Sequence, residues 1–169
     1  MRRGWPLVPV FALLGAQAAL GQGAGLSLKG HDSNAPVDVA ADRIEVQDRA
    51  NRAIFSGSVV VRQGNMTMNA TRLIVVYAGS QNVQIQRLEA SGGVTMRTPT
   101  ETARSSFGIY DVPRRIVTMI GGVTLDQGAN HVQGGRLVLD LDSHRAVMDG
   151  GAQAGRVSGR FTVPRRTGN

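Results

Sequence analysis

Three histidines, His31, His131 and His144, and a scatter of aspartates are the residues here whose chemistry could drive a reaction or hold an ion. Metal-binding histidines recur on one face at short spacing, as in His-x-His or His-Glu-x-x-His, and these three match neither pattern. The chain has no cysteine, so thiolate sites and disulfides are excluded. No serine sits in a Gly-x-Ser-x-Gly elbow. Asp38, Asp42, Asp48, Asp111, Asp126, Asp140, Asp142 and Asp149 fall mostly at the ends of apolar alternating runs. Aspartate is common there because its side chain bonds nearby backbone. Spacing alone does not pick out a carboxylate pair of the glycosidase kind. No glycine loop leads into a helix to cradle phosphate. Nucleic-acid binding would need stacking aromatics and a basic cluster, and the only such cluster is in the last six residues. We therefore expect no catalytic residues, no metal, no cofactor and no nucleic-acid partner. What remains is apolar surface, whose chemistry is the exclusion of water.

That surface is organised by a repeat. Phe55 to Gly64, Phe-Ser-Gly-Ser-Val-Val-Val-Arg-Gln-Gly, returns as Met119 to Gly128, Met-Ile-Gly-Gly-Val-Thr-Leu-Asp-Gln-Gly, with an offset of 64 residues. Arg72-Leu73 likewise returns as Arg136-Leu137. Glycines at 92, 121 and 150 recur at a step of 29. A fixed period with glycine at one phase marks a stacked architecture. Within the unit, Phe55, Gly57, Val59 and Val61 alternate with Ser56, Ser58, Val60 and Arg62, which gives a strand with one apolar face. A glycine in mid-strand implies a bend, a bulge or a close backbone approach.

Along the rest of the chain, Val37 and Val39 open the first run, and Ile44 and Val46 follow after a break. Gln63-Gly64-Asn65 turns the chain back as a tight hairpin. Met68 and Ala70 lie on one parity; Leu73, Val75 and Tyr77 lie on the other. The equivalent stretch slips at the same place, before Leu137, Leu139 and Leu141. A shared slip predicts a bulge or corner in both halves. The 29-residue register sets Tyr110 and Val112 against Leu139 and Leu141. One inner face thus collects Val37, Val39, Ile44, Phe55, Val59, Val61, Leu73, Val75, Tyr77, Tyr110, Val112, Met119, Val123, Leu125, Leu137, Leu139 and Leu141. No stretch after residue 37 carries a helical stripe. The expectation is one all-β domain of nine to twelve short antiparallel strands, closed as a sandwich or barrel or stacked as a flattened, twisted jelly roll. By pattern alone, the face is equally a dry core or the lining of a groove.

The first 21 residues differ from the rest. Arg2-Arg3, the apolar run from Trp5 to Leu14 and a small-residue exit read as a secretory signal peptide, cleaved after Ala18 or Gly21. A membrane anchor is disfavoured by the short run and its two prolines. Residues 22–35 read as a flexible lead-in, 36–163 as the folded domain and 164–169 as a basic tail. Of the 19 basic residues, Arg2 and Arg3 fall in the leader; the other 17 against 12 acidic residues leave about +5.

The order and spacing of Pro36-Val37-Asp38-Val39-Ala40-Ala41-Asp42, of Ala53 through Gly64, of Met68-Asn69-Ala70-Thr71-Arg72-Leu73 and of Ile120-Gly121-Gly122-Val123 resemble the OstA-like family. The resemblance covers about residues 36–163. Where that family has Asn after the motif glycine, this chain has Ser58 or Gly122. Where it has Asp after the Asn-Ala pair, this chain has Thr71. The resemblance implies a twisted, V-shaped, open β-jelly roll of two repeated halves. It also implies a periplasmic protein that carries lipopolysaccharide between inner and outer membrane, with lipid A acyl chains in an apolar groove lined by the seventeen residues above. Its implied partners are lipopolysaccharide, the OstA-like domains of an inner-membrane anchored protein and of an outer-membrane translocon, and further copies of itself joined end to end. Two alternatives stand beside this: the anchored inner-membrane partner itself, and an exported β-sheet protein that binds or modifies polysaccharide. The second would need an aromatic platform or clustered acids, and the one Trp lies in the leader.

Overall fold

The structure is a computed structural model in which residues 32–79, 82–151 and 155–163 are described. The expected leader, most of the lead-in and the basic tail lie outside these residues. The chain runs β1 (Asp38–Ala40), β2 (Arg43–Gln47), a short 3-10 helix (Asp48–Ala50), β3 (Arg52–Gln63), β4 (Met66–Ala78), β5 (Gln84–Arg97), β6 (Glu101–Asp111), β7 (Ile116–Gln127), β8 (Asn130–Asp140), β9 (Arg145–Asp149) and β10 (Ser158–Arg160). The all-β expectation holds, but the strands are not uniformly short. β3 to β8 each run 11 to 14 residues. The parity slips before Leu73 and Leu137 are bulges inside continuous strands, as the shared slip predicts.

All pairings are antiparallel, in the order β1-β3-β4-β5-β6-β7-β8-β10, with β2 also on β3 and β9 also on β8. The register shifts once near the middle of each long pair: between Ser56 and Val59, Asn69 and Arg72, Ser91 and Val94, Arg104 and Phe107, and Ile120 and Val123. These shifts form a column of bulges across the sheet. Bulges bend a strand and increase its twist, so the column divides the sheet into two arms. One arm runs β2, the first half of β3, the second half of β4 and so on to β9. The other begins at β1 on Val60–Arg62 and ends at β10 on His131–Gln133. Their apolar faces share one core, with Val59, Val123 and Leu125 from the second arm and Leu73, Met119 and Leu137 from the first.

The bulge column is built by the repeat. Gly57, Gly92 and Gly121 take φ of 78°, 82° and 88°, where a side chain is strained. Their carbonyls accept bonds from the adjacent segment: Asp42 N–H, in the link between β1 and β2, to Gly57 at 2.9 Å, Thr71 Oγ1 on β4 to Gly92 at 2.7 Å and Ser106 Oγ on β6 to Gly121 at 3.1 Å. Asp42 and Ser106 are themselves 64 residues apart, so both partners of the rung repeat. Gly64-Asn65 and Gly128-Ala129 are the two-residue connections of the equivalent hairpins.

Both ends of the stack are short edge strands. Of the large apolar residues left exposed among the described residues, Ile44 and Val46 lie on β2, Val147 on β9, and Val157, Phe161 and Val163 flank β10, while Val83 in the β4–β5 connection and Ile120 on β7 lie away from the edges. Exposed apolar surface is thus concentrated at the two edges.

Candidate functional site

The space between the arms collects the apolar face. Val59, Val61, Leu73, Val75, Tyr110, Met119, Val123, Leu125, Leu137, Leu139 and Leu141 are buried in it, and Val37, Val39, Phe55, Tyr77 and Val112 pack against it half-buried. Ile44 does not join them. It pairs with Phe55 in register and so shares its side of the sheet, yet it is 55 % exposed. The parity is as expected, but β2 is an edge strand with no further strand beyond it among the described residues.

The face is broader than sequence reading made it. Met66, Leu88, Ala90, Val94, Met96, Ala103 and Val117 are buried in the same cluster. The alternation Leu88-Ala90, Val94-Met96 marks them, since it places them on the same parity as their cross-strand partners Val75, Leu73 and Met68.

At the mouth between the arms the interior is not wholly apolar. A cavity of about 30 Å³, room for about one or two waters, is lined by Val37, Val61, Met66, Met96, Gln63 and Tyr110 among others. Gln63 comes from the second half of β3 and Tyr110 from the second half of β6, so they face each other from different arms. Sequence reading puts Gln63 in a polar turn. It is the last residue of its strand, on the parity of Val59 and Val61, and is 3 % exposed. Its Nε2 donates to the Ser33 and Ala35 carbonyls at 3.0 and 3.1 Å. Gln63 Oε1 and Tyr110 Oη meet no protein partner. Burial pushes the Tyr110 phenol up; the nearby Gln63 amide and the Arg115 guanidinium offset part of this, and Asp142 adds to it. No hydrogen bond of ordinary geometry joins the two side chains.

The last residues of the expected lead-in are ordered over this mouth. Asp32 Oδ1 accepts from Asn34 N–H at 2.9 Å and Asp32 O from Ala35 N–H at 3.3 Å, which makes a tight turn. One side of the turn is held by Gln63. On the other, Arg115 donates to Asn34 Oδ1 at 2.6 Å and to Asp142 Oδ1 at 2.8 Å. Residues 32–37 therefore bridge the arms from the β3–β4 hairpin to the β6–β7 turn.

The outer faces are polar and laced with ion pairs. Arg104 meets Asp126 at 2.8 Å, Arg136 meets Asp149 at 2.9 Å and His131 Nδ1 meets Asp126 Oδ1 at 2.6 Å. His131 and then Arg104 hold the Asp126 carboxyl below its ordinary range; Arg136 does the same for Asp149. Solvent and salt screen such exposed pairs, so they add little to stability. His144 Nδ1 lies 3.1 Å from the Asp142 carbonyl. Among the described residues no three His, Asp or Glu side chains converge on an ion position. The chemistry on offer is an apolar interior, a polar exterior and two open ends.

Residues 38–145 match the family described as LptA/(LptD N-terminal domain) LPS transport protein. The chain is 32 % identical over 155 residues to an uncharacterized protein of Rhizobium meliloti (strain 1021), covering 86 % of this chain and 82 % of that one. It is 27 % identical over 161 residues to the lipopolysaccharide export system protein LptH of Pseudomonas aeruginosa, covering 90 % and 87 %. In three dimensions it is similar to the crystal structure of LptH, described as the LptA homologous periplasmic component of the lipopolysaccharide transport device of that organism. The TM-score is 0.68 at 19 % identity, covering 79 % of this chain and 99 % of that one.

Proposed function

Because the chain belongs to the LptA/LptD N-terminal domain family of lipopolysaccharide transport proteins, we propose that it is a periplasmic carrier whose two arms sheathe lipid A acyl chains while the sugars stay outside. One observation carries this reading: a single apolar interior runs from edge to edge of a sheet whose exposed hydrophobic residues gather at those edges. Each methylene withheld from water is worth about 0.8 kcal/mol, so chains crossing the periplasm need an unbroken apolar path. Nonpolar walls provide it without directional contacts, and a chain can slide along them. Unpaired strand edges are a hazard for a monomer and a means of assembly for a carrier. β1 and β2 of one copy would add to β9 and β10 of the next, and the end copies would meet OstA-like domains anchored in the inner membrane and set in the outer-membrane translocon. The 30 Å³ cavity admits no acyl chain, so loading requires the arms to part, and the bulge column is where the strands already bend. Export by a cleaved leader belongs to the same proposal.

The test is purification from native periplasm without detergent, followed by lipid extraction and light scattering. The wild type should yield lipopolysaccharide and concentration-dependent oligomers. A Val46→Lys, Phe161→Lys double variant, altered only at exposed edge positions, should remain folded and become monomeric. Protein free of lipid at every step would overturn the carrier reading. Unchanged oligomers in the edge variant would overturn end-to-end stacking.

A further inference from the structure

Two buried polar atoms without protein partners, Gln63 Oε1 and Tyr110 Oη, belong to side chains that line one cavity from opposite arms, in an interior that is otherwise mostly apolar. Leaving such atoms unpaired costs free energy, and folded proteins do so sparingly. A leucine and a phenylalanine at these places would have filled the space without that cost. We propose that Gln63 and Tyr110 form a polar recognition point for the root of an acyl chain that carries both a carbonyl and a hydrogen-bond donor, as an amide-linked or 3-hydroxylated chain does. This rests on the reading of the interior as an acyl-chain channel.

The donor and acceptor inventory fixes the class. Gln63 Nε2 is committed to the Ser33 and Ala35 carbonyls, so Oε1 is left as a pure acceptor and needs an N–H or O–H. Tyr110 Oη can donate, and its O–H suits a carbonyl oxygen. A plain hydrocarbon satisfies neither atom; a simple ester carbonyl satisfies only the tyrosine. An acyl amide, or a chain hydroxylated near its carbonyl, satisfies both. The placement agrees: the pair sits at the mouth, under residues 32–37, where the end of a chain nearest its headgroup would lie if the hydrocarbon ran inward. The same Gln63 amide ties down the segment that covers the mouth. A ligand that draws on Oε1 acts on the residue that holds the cover.

The experiment compares two probes on the purified full domain by fluorescence displacement: N-(3-hydroxytetradecanoyl)glucosamine and the methyl ester of tetradecanoic acid, which lacks the donor. Wild type should prefer the hydroxy-amide by about tenfold or more; Gln63→Met should bring the two affinities within about twofold and leave the ester affinity unchanged, whereas Tyr110→Phe should weaken both probes, since its O–H serves either carbonyl. Tyr110→Phe should melt at or above the wild-type temperature, since it removes a hydroxyl that the folded chain does not pair. Equal affinities in wild type, or a preference that survives both variants, would overturn the recognition point while leaving the channel standing. A melting temperature lowered by Tyr110→Phe together with unchanged affinities for both probes in both variants would assign the pair to the fold alone. Failure of both probes to bind would overturn the channel and this site with it.

Discussion

Replacing Leu137 by alanine is expected to cost about 3–4 kcal/mol, and replacing Leu73 about as much. Both side chains are 0 % exposed and lie 64 residues apart at equivalent places of the repeat. Leu73 stands between Phe55 and Ala90 on adjacent strands, and Leu137 between Met119 and Met148. Truncation removes buried methylenes and leaves a hole that long, hydrogen-bonded strands cannot close. The apparent melting temperature should fall by roughly 10 °C. Urea unfolding should show a lower midpoint at unchanged slope. Val163→Ala, at a position 83 % exposed, should change stability by less than about 0.5 kcal/mol. Losses under 1 kcal/mol at both leucines would mean that the arms do not pack on one another.

The second large effect is expected at the bulge column. Gly92 has φ 82°, and a Cβ there would lie 2.6 Å from Thr71 Cβ. Gly92→Val combines a β-branched residue in the left-handed region, about 1–3 kcal/mol, with overpacking against Thr71, another 1–3 kcal/mol. It also displaces the carbonyl that accepts from Thr71 Oγ1. We expect a loss of about 3 kcal/mol or more, or failure to fold. Gly93 is the control: its φ is 83°, but nothing lies within 4 Å of a Cβ there. Gly93→Ala should cost only the backbone strain, about 1 kcal/mol. Equal costs at the two positions would contradict a column held by close approach of adjacent strands.

The column was legible because its cause is local. Leu73 and Leu137 fall out of phase with Ala70 and Gly134 in any reading of parity, and glycine at 57, 92 and 121 gives the bend a chemical reason. The inner face was legible for the same reason, since period two places side chains without knowledge of the partners. What escaped depends on those partners. Ile44 has the inner parity, and only the absence of a neighbour beyond β2 exposes it. Gln63 has the inner parity too, continuing Val59 and Val61, but its amide and the glycine after it speak for a turn. Its return as Gln127 was the available signal: that side chain also turns inward, its Nε2 donating to Glu101 Oε1 at 2.9 Å. Residues 32–35 look like loose linker because their order comes from Gln63 and Arg115, 28 and 81 positions away along the chain in the bonds to Ala35 and Asn34. Local pattern cannot show a contact of that span. The polar recognition point joins two residues of different strands and was beyond reach for the same reason.

The central claim is that one side of the sheet meets lipid and the other meets water. Photo-crosslinking in intact cells tests it most directly, with benzoylphenylalanine placed singly at Phe55 and Leu139 on the inner side and at Arg62 and Gln133 on the outer side. The first pair is half-buried and buried against the core; the second pair is exposed. Lipopolysaccharide adducts should form at Phe55 and Leu139 and not at Arg62 or Gln133, with all four variants folded. Equal capture on both sides, or no adduct at either inner site, would contradict the account.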